Sequence, residues 1–472
     1  MSNTKTKIHF IGIGGIGVSA LAQYYLSQGA EVSGTDLVSS EITEMLERKG
    51  AKIFINSKGE SQKLKPRLPD GQAQLKTQKL IKNSDLVIYS KAVPHSHPEL
   101  KLARKLKKKC LSYPEALGEL TKQYFTVAVC GTHGKSTTTA MIALILIKAG
   151  LNPTVILGTK LKEFGDSNFR MGGRPKIPTT HYSLITDKIL VIEADEHFAS
   201  FLNYLPNVIV ITNIEPDHLD FYKNFKNYLK AFKKFVSRLP KNGILIVNGD
   251  DENIKKFQIP NSKFQILKFS ISQRETRRLK KILKVPGRHN LYNALASYTC
   301  AKVLGIPDKI IFEALSEYKG AWRRLEEKEI KLNNRKVLLI SDYGHHPTEI
   351  RATIEAIKEK YPKKKIWLVF QPHQYQRTFY LWKDFIKTLC EIKVEKIILL
   401  PIYEVAGREK KSLKKKISSD ILVQKINKKS PKAVFVRNFQ EAKNYIIKNF
   451  KGEILVVMGA GDIYNLGLTL ST

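Results

Sequence analysis

Long apolar runs are missing from this chain. No uninterrupted apolar stretch reaches the roughly 18 to 20 residues that a bilayer-spanning helix needs, so a helical membrane protein is excluded. The N-terminus, MSNTKTKIHFIGIGG, passes from a polar start straight into a glycine-rich turn without a small-residue cleavage site. No secretory leader is expected, and the chain is expected in the cytoplasm, without a membrane partner. Cysteine is scarce. Cys110, Cys130, Cys300 and Cys390 lie far apart without C-x-x-C spacing, which argues against a disulfide framework or a cysteine metal cluster. Acidic residues are also in short supply, with 43 Asp and Glu against 80 Lys and Arg and a formal charge of +37. An excess of that size raises the question of nucleic acid. The surplus is mostly lysine dispersed along the whole chain, in stretches such as Lys101 to Lys109 and Lys410 to Lys416, without interleaved aromatics. The expected consequence is a solvated, basic surface that steers anionic nucleotides, with no nucleic-acid partner.

What is present is a globular composition, 42% hydrophobic and 26% charged over 472 residues. That length suits about three domains at roughly 150 residues each. Its most informative segment is Gly131-Thr132-His133-Gly134-Lys135-Ser136-Thr137, set between an apolar strand, Thr126 to Cys130, and an amphipathic helix, Thr138 to Ala149. Unpaired N–H groups at such a strand-to-helix turn point at an anion, the helix dipole favours negative charge, and the Lys135 ammonium reaches outer phosphates. Ser136 or Thr137 can offer a hydroxyl to the accompanying Mg2+. The usual phosphate-loop pattern has a glycine where this chain has Val129, so this is a variant loop for a nucleoside triphosphate.

Three α/β segments follow from the alternation of apolar runs and polar turns. In the first, strand Lys7 to Ile11, the turn Gly12-Ile13-Gly14-Gly15-Ile16-Gly17, a helix and strand Glu31 to Gly34 ending at Asp36 make a βαβ start with G-x-G-x-x-G spacing. By itself that spacing suggests a dinucleotide, and Asp36 stands where a ribose contact is expected. Strand Asp85 to Ser90 closes at a ligand-facing loop, while Asn56 to Asn83 reads as an extended polar surface excursion outside the core. The second segment starts near Pro114, after a basic linker around Lys107 to Lys109. Strands Lys188 to Ile192 and Val208 to Thr212 end in Glu193-Ala194-Asp195-Glu196 and in Asn213-Ile214-Glu215-Pro216-Asp217-His218. Acidic strand ends beside a phosphate loop hold magnesium, and Glu193 and His218 are the expected contacts. Val285 to Asn293 reads as a polar loop entering a helix, its two asparagine amides suited to an adenine edge. In the third segment, strands Lys336 to Ile340, Lys365 to Phe370 and Glu453 to Met458 deliver Ser341 to Glu349, Gln371 to Thr378 and Gly459-Ala460-Gly461. Three histidines and an arginine at two strand ends read as neighbours mark a site.

In this order, the glycine turn, GTHGKST, EADE, NIEPDHLD, VPGRHNLYNA, Arg323-Arg324, DYGHHPTEI, FQPHQYQRT and the terminal GAGD resemble the Mur ligase family over nearly the whole chain. The resemblance implies an α/β fold of three domains: a Rossmann-like N-terminal domain (1–112), a central P-loop ATPase-type domain (113–319) and a Rossmann-like C-terminal domain (320–472). It also implies ligation of L-alanine to the lactyl carboxylate of UDP-N-acetylmuramate. By the same resemblance Gly12, Gly14, Gly15, Gly17, Asp36 and Ser90 would hold the UDP-sugar. Gly131 to Thr137 would hold ATP phosphates, with His289, Asn290 and Asn293 near the adenine. Ser136 and Glu193 would bind one magnesium ion and His218 a second, and Arg324 would reach phosphate oxygens across a domain boundary.

A carboxylate acylates poorly, so phosphoryl transfer from ATP would first make an acyl phosphate, helped by Lys135, the metal ions and Arg324. The amine of alanine would then attack, positioned by His345 with Asp342 and Tyr343, and His373 and Arg377 complete the amino-acid site. The sequence departs from the family at Gln374, where an arginine that helps hold the amino acid's carboxylate is common, leaving Arg377 for that role. It departs also at His197-Phe198 and at Trp322. No lysine among Lys230, Lys233 and Lys234 is assigned as carbamylated. Alternatives that stay open on sequence are a recycling ligase for a murein tripeptide, an NAD-dependent dehydrogenase built on Gly12 to Asp36, and a nucleic-acid-binding protein.

Overall fold

Apolar strands three to eight residues long, alternating with helices, fold into three sheets, and the strand ends of all three carry the polar motifs. The computed structural model describes residues 5–55, 71–175, 188–257, 264–405 and 411–470. The first sheet joins β1 (Lys7–Ile11), β2 (Glu31–Asp36), β3 (Lys52–Ile55), β4 (Leu86–Tyr89) and β5 (Lys109–Ser112) in the order β3-β2-β1-β4-β5, all parallel. Its order reverses between β1 and β4, and in an open parallel sheet the crevice at that switch point is where ligands bind. Gly12 follows β1 and Ser90 follows β4 there.

The central sheet contains β6 (Phe125–Cys130), β7 (Thr154–Leu161), β8 (Ser167–Arg170), β9 (Ile189–Glu193), β10 (Val208–Ile211), β11 (Ile244–Asn248) and β12 (Gln265–Phe269), ordered β12-β11-β10-β6-β9-β7-β8. Among the described residues, only β7 and β8 pair antiparallel in it. β6 lies between β10 and β9, so the phosphate loop emerges flanked by the two acidic strand ends. The helix Lys135–Lys148 that follows is buried on nearly every side, packed between the sheet and the helix Arg288–Val303. Each fully buried aliphatic side chain there, such as Ile142, Ile145 or Leu146, contributes about 1.5–3 kcal/mol relative to exposure, and this anchors the loop rigidly. The third sheet runs β13 (Glu326–Leu332), β14 (Arg335–Asp342), β18 (Ile454–Met458), β15 (Ile366–Phe370), β16 (Lys396–Leu399), β17 (Ala433–Phe435), with only β13 antiparallel to its neighbour.

Four sequence expectations are corrected. Of the stretch read as a surface excursion, Gly71–Asn83 is a helix whose Ile81 is fully buried against the first sheet, while 56–70 lie outside the described residues. Few of its positions face inward, and that hides the helical period. The basic stretch taken as a linker begins β5, an edge strand whose charged Lys109 is exposed. His289, Asn290 and Asn293 sit on the first turns of the helix Arg288–Val303, because Gly287 at φ 98° makes the turn before them. Finally, β14 and β15 are not neighbours, since β18 pairs with both.

The first and central units are joined by buried amides. Asn168 on β8 accepts from Gln23 Nε2 at 2.8 Å and donates to Ser19 Oγ at 3.1 Å, both on the helix Ile16–Ser27 that follows the glycine turn. No helix among the described residues is long and apolar enough to cross a membrane, and the four cysteines are free thiols.

Candidate active site

The glycines of the phosphate loop are required by their neighbours. Gly131 has φ 130° and a Cβ there would come within 2.2 Å of Thr212 Oγ1 just after β10, while Gly134 has φ 80° and its Cβ would meet Asn293 Oδ1 at 2.3 Å. Lys135 then opens the helix. Its Nζ donates to Gly131 O at 2.8 Å and stands 3.0 Å from Glu196 Oε2. Burial opposes the charge on Lys135, but Glu196, Asp195 and Glu193 outweigh it and raise its pKa. Burial pushes the Glu196 carboxyl up to about 7 against the pull of Lys135.

Asp195, Glu196 and His218 place ligand atoms within 4.8 Å of one another. His218 adopts φ 51° and is half-buried, its buried Nδ1 without a hydrogen-bond partner among the described residues, and desolvation lowers its pKa and keeps the ring neutral. The ring lies flat on His197 at 4.1 Å, and His197 lies on Phe198 at 4.0 Å. Magnesium takes oxygen ligands and keeps several waters, so the carboxylates of Asp195 and Glu196 fit such an ion, and the unpartnered His218 imidazole stands beside them as a nitrogen donor. The expected contact Glu193 accepts from Gly158 N at 2.9 Å through Oε2, and its charge acts on Lys135 together with those of Asp195 and Glu196. Glu196 was missed by sequence reasoning. The signal was present in Glu-Ala-Asp-Glu, but choosing between its carboxylates requires knowing which one faces Lys135.

A cavity of about 380 Å³ runs from the phosphate loop toward the third unit, lined by Gly134, Ser136 and Thr137, by His289, Asn290 and Asn293, and by Arg324 and Asp342. Residues selected from four separate sequence motifs thus meet around one volume. The asparagine amides also bond within the protein. Asn290 Nδ2 donates to Pro286 O at 2.8 Å, its Oδ1 accepts from Asn293 at 3.3 Å, and Asn293 Oδ1 accepts from Thr138 at 3.2 Å. The Thr138 bond pins their helix to the one that follows the loop, and Asn248, Asp250 and Tyr292 are further polar groups on the cavity wall.

At the first sheet, Gly12 N and Ile13 N both donate to Thr35 O, at 2.8 and 3.1 Å. Asp36 ties down the same turn, accepting from Gly14 N at 2.7 Å and from Leu37 N at 2.7 Å. Ser90 lies against Gly12, where a Cβ would touch it at 3.1 Å, and Gly17 packs so closely on Tyr113 that a Cβ would come within 2.8 Å of the ring. The turn and Ser90 are therefore together, with Gly15 between them and the helix.

The third unit brings a chain of rings to the cleft. Tyr343, His345, His373 and Tyr403 follow one another at centroid distances of 5.5, 5.8 and 5.4 Å. His345 Nδ1 lies 3.1 Å from Tyr343 O. A carbonyl only accepts, so Nδ1 carries the proton and Nε2 offers its lone pair. Burial, against the pull of Glu349, lowers the His345 pKa to about 4, which keeps it neutral. Asp342 clamps its loop, accepting from Leu325 N at 2.9 Å and Gly344 N at 2.8 Å. Arg324 stacks over Tyr343 at 5.1 Å, and Arg323 turns its guanidinium to the carbonyls of Gly459 and Gly461.

Contacts across the cleft bring in three carboxylates not selected from sequence, Asp217, Glu215 and Glu349. Arg377 forms a buried ion pair with Asp217 at 3.0 Å. His133 stands between Glu215 and Glu349, 3.3 Å from each, and Thr348 Oγ1 donates to Glu215 at 2.7 Å. Burial opposes charge on His133, but the two carboxylates outweigh it and raise its pKa to about 9. Against an unfolded value of about 6.5, the folded pKa is higher. The contribution of this bridge is therefore complete below about pH 6.5 and is lost as pH rises through about 9. The thermal midpoint of the wild-type chain is expected to fall over that interval, and His133→Gln should flatten the decline. A wild-type profile with no fall across the interval from about pH 6.5 to about 9 would contradict the bridge.

Comparison with known proteins gives one consistent result. The family described as Mur ligase family, catalytic domain, matches residues 7–125; Mur ligase middle domain matches 129–301; and Mur ligase, glutamate ligase domain, matches 323–461. A UDP-N-acetylmuramate–L-alanine ligase of Clostridium botulinum strain Hall is 37% identical, with 98% of this chain and 96% of that protein covered. One from Acetivibrio thermocellus is 38% identical, with 98% and 94% covered. Among solved structures, a UDP-N-acetylmuramate-alanine ligase of Thermotoga maritima superposes with a TM-score of 0.74 at 26% identity, covering 98% of both chains. A murein peptide ligase of Psychrobacter arcticus, at 21% identity and TM-score 0.69 over 98% of both chains, shares the fold.

Proposed function

The chain belongs to the Mur ligase family, and we propose that it is an ATP-dependent carbon-nitrogen ligase joining L-alanine to the lactyl carboxylate of UDP-N-acetylmuramate in peptidoglycan precursor synthesis. The observation that supports this most is the meeting of a phosphate loop and the polar ends of β14 and β15 at one cleft, held together by His133–Glu349 and Asp217–Arg377. Full-length identity of 36–38% to relatives bearing that activity points the same way. We take 1–112 as the UDP-sugar domain, 113–319 as the ATP domain and 320–472 as the amino-acid domain, with the work carried out in the cytoplasm.

ATP enters with its phosphates on Gly131 to Thr137 and its base toward the helix Arg288–Val303. Lys135, already charged, neutralises the outer phosphates once it leaves Glu196. Magnesium, which neutralises and aligns the phosphates, would be held by Ser136 with the carboxylates of the β9 end, and a second ion by His218. Arg324 would meet the phosphoryl oxygens from across the cleft. A lactyl oxygen bonds to the γ-phosphorus as the bond to ADP breaks, leaving an acyl phosphate. The lone pair of the alanine nitrogen then forms the C–N bond, and phosphate departs with the electrons of the C–O bond. The excess proton on nitrogen is lost to the departing phosphate or to solvent. His345 is too weak a base to hold that proton, so its role is to accept a hydrogen bond through Nε2 and orient the amine. Arg377, with His373 3.3 Å away, binds the amino acid's carboxylate.

The test is phosphate release with ATP, Mg2+ and UDP-N-acetylmuramate against L-alanine, glycine, L-serine and murein tripeptide. L-Alanine is expected to turn over fastest. Turnover with the tripeptide alone would overturn the reading. The glycine and serine arms read the effect of Gln374, which is buried at φ 70° beside Tyr403.

A further inference from the structure

Gln371 follows β15 two residues before His373, and it is only 6% exposed. Its backbone N–H pairs with Met458 O at 3.1 Å, but the side-chain Oε1 is buried without a hydrogen-bond partner among the described residues. An unsatisfied buried acceptor forfeits about 1–3 kcal/mol of solvation, so one that persists beside a reaction site calls for a donor. The surroundings say where that donor comes from. A Cβ on Gly461 would sit 2.9 Å from Gln371 Oε1 and 2.6 Å from the Tyr403 ring. The glycine thus leaves the acceptor bordered by the ring that stacks on His373 at 5.4 Å and 9°. That ring belongs to the row Tyr343, His345, His373 and Tyr403, which the ligase reading makes the amino-acid site.

We propose that Gln371 is a further residue of the amino-acid site, its Oε1 accepting a hydrogen bond from the N–H of the incoming amine opposite His345. This rests on the ligase reading and names one of its contacts. The chemistry favours a neutral acceptor. The amine attacks only when unprotonated, and a carboxylate at this point would stabilise the ammonium form, as an opposite charge does. An amide oxygen orients the N–H without that penalty. Gln371 takes no proton: the C–N bond forms, the C–O bond to phosphate breaks, and the nitrogen's proton goes to the departing phosphate or to solvent.

Three measurements on the full chain test this. Gln371→Met removes the acceptor while keeping the volume. Its KM for L-alanine is expected to rise at least tenfold, with the thermal midpoint unchanged or higher because no orphan acceptor remains. Hydroxylamine intercepts acyl phosphates without needing the amino-acid site, so hydroxamate formation from UDP-N-acetylmuramate and ATP should match wild type. Gln371→Glu restores an acceptor but adds charge, and its pH–rate rise should move to higher pH. An unchanged alanine KM in Gln371→Met, or an equal loss of hydroxamate formation, would overturn the proposal. Absence of alanine turnover in the wild-type chain would instead overturn the ligase reading, so the two failures are distinguishable.

Discussion

Replacing Lys135 by alanine is expected to lower turnover by about a hundred- to a thousandfold, or about 3–4 kcal/mol of barrier, the usual loss when one preorganised charge is removed from a developing anion. The reason lies in how the lysine is held. Its ammonium is pinned between the Gly131 carbonyl and the fully buried Glu196, poised at the place the outer phosphates would occupy. The variant should still fold. Without the lysine, Glu196 loses the charge that kept its pKa from rising further, and a carboxyl already pushed up to about 7 by burial takes up a proton near neutrality, so no buried charge is stranded. UDP-sugar affinity, measured by titration calorimetry, should remain within a few-fold of wild type, because the hydrogen bonds of the glycine turn after β1 run to Thr35 and Asp36 and those of Lys135 to its own loop and Glu196. Parallel loss of turnover and UDP-sugar binding would contradict the division of labour between the first two domains.

Arg377→Ala is expected to have the second large effect, on two observables at once. Arg377 and Asp217 form an ion pair in which both side chains are 6% exposed. Removing one member of such a pair strands the other, at about 3–5 kcal/mol. Asp217 sits in the loop after β10 and Arg377 in the third domain, so the loss falls on the docking of that domain over the phosphate loop. The thermal midpoint should drop, and KM for L-alanine should rise by about a hundredfold or more, since the carboxylate anchor is gone too. The double variant Asp217→Asn with Arg377→Gln replaces the pair by neutral hydrogen-bonding groups. It is expected to recover most of the midpoint and none of the alanine affinity. Recovery of both would mean that the pair serves docking alone.

Much of this molecule is written in local pattern. The phosphate loop, the acidic strand ends after β9 and β10, and the polar tips of β14 and β15 are legible in the sequence because each is an apolar run of strand length followed by residues whose backbone or side-chain chemistry suits an anion or a metal. The glycines of the loop are a case in point, since φ values of 130° and 80° favour glycine and a Cβ at either position would meet Thr212 or Asn293. The helix Gly71–Asn83 is not legible, because its described residues bury only Thr77 and Ile81 fully, too sparse a stripe to show a period.

Which member of each cluster acts is decided elsewhere. Glu196 and not Glu193 faces Lys135, Asp36 ties its own glycine turn, and Asn290 and Asn293 fasten a helix. Asp217, Glu215 and Glu349 gain their roles only through partners far away in sequence, 160, 82 and 216 residues distant. By itself the sequence determined the elements, the three-part order and the chemical types delivered to the strand ends, because those depend on backbone preference and short-range periodicity. Only the tertiary structure decided the pairings. Ion pairs, shared protons and orphaned acceptors depend on distance and burial, and both are set when sheets from different parts of the chain pack so that their strand ends meet.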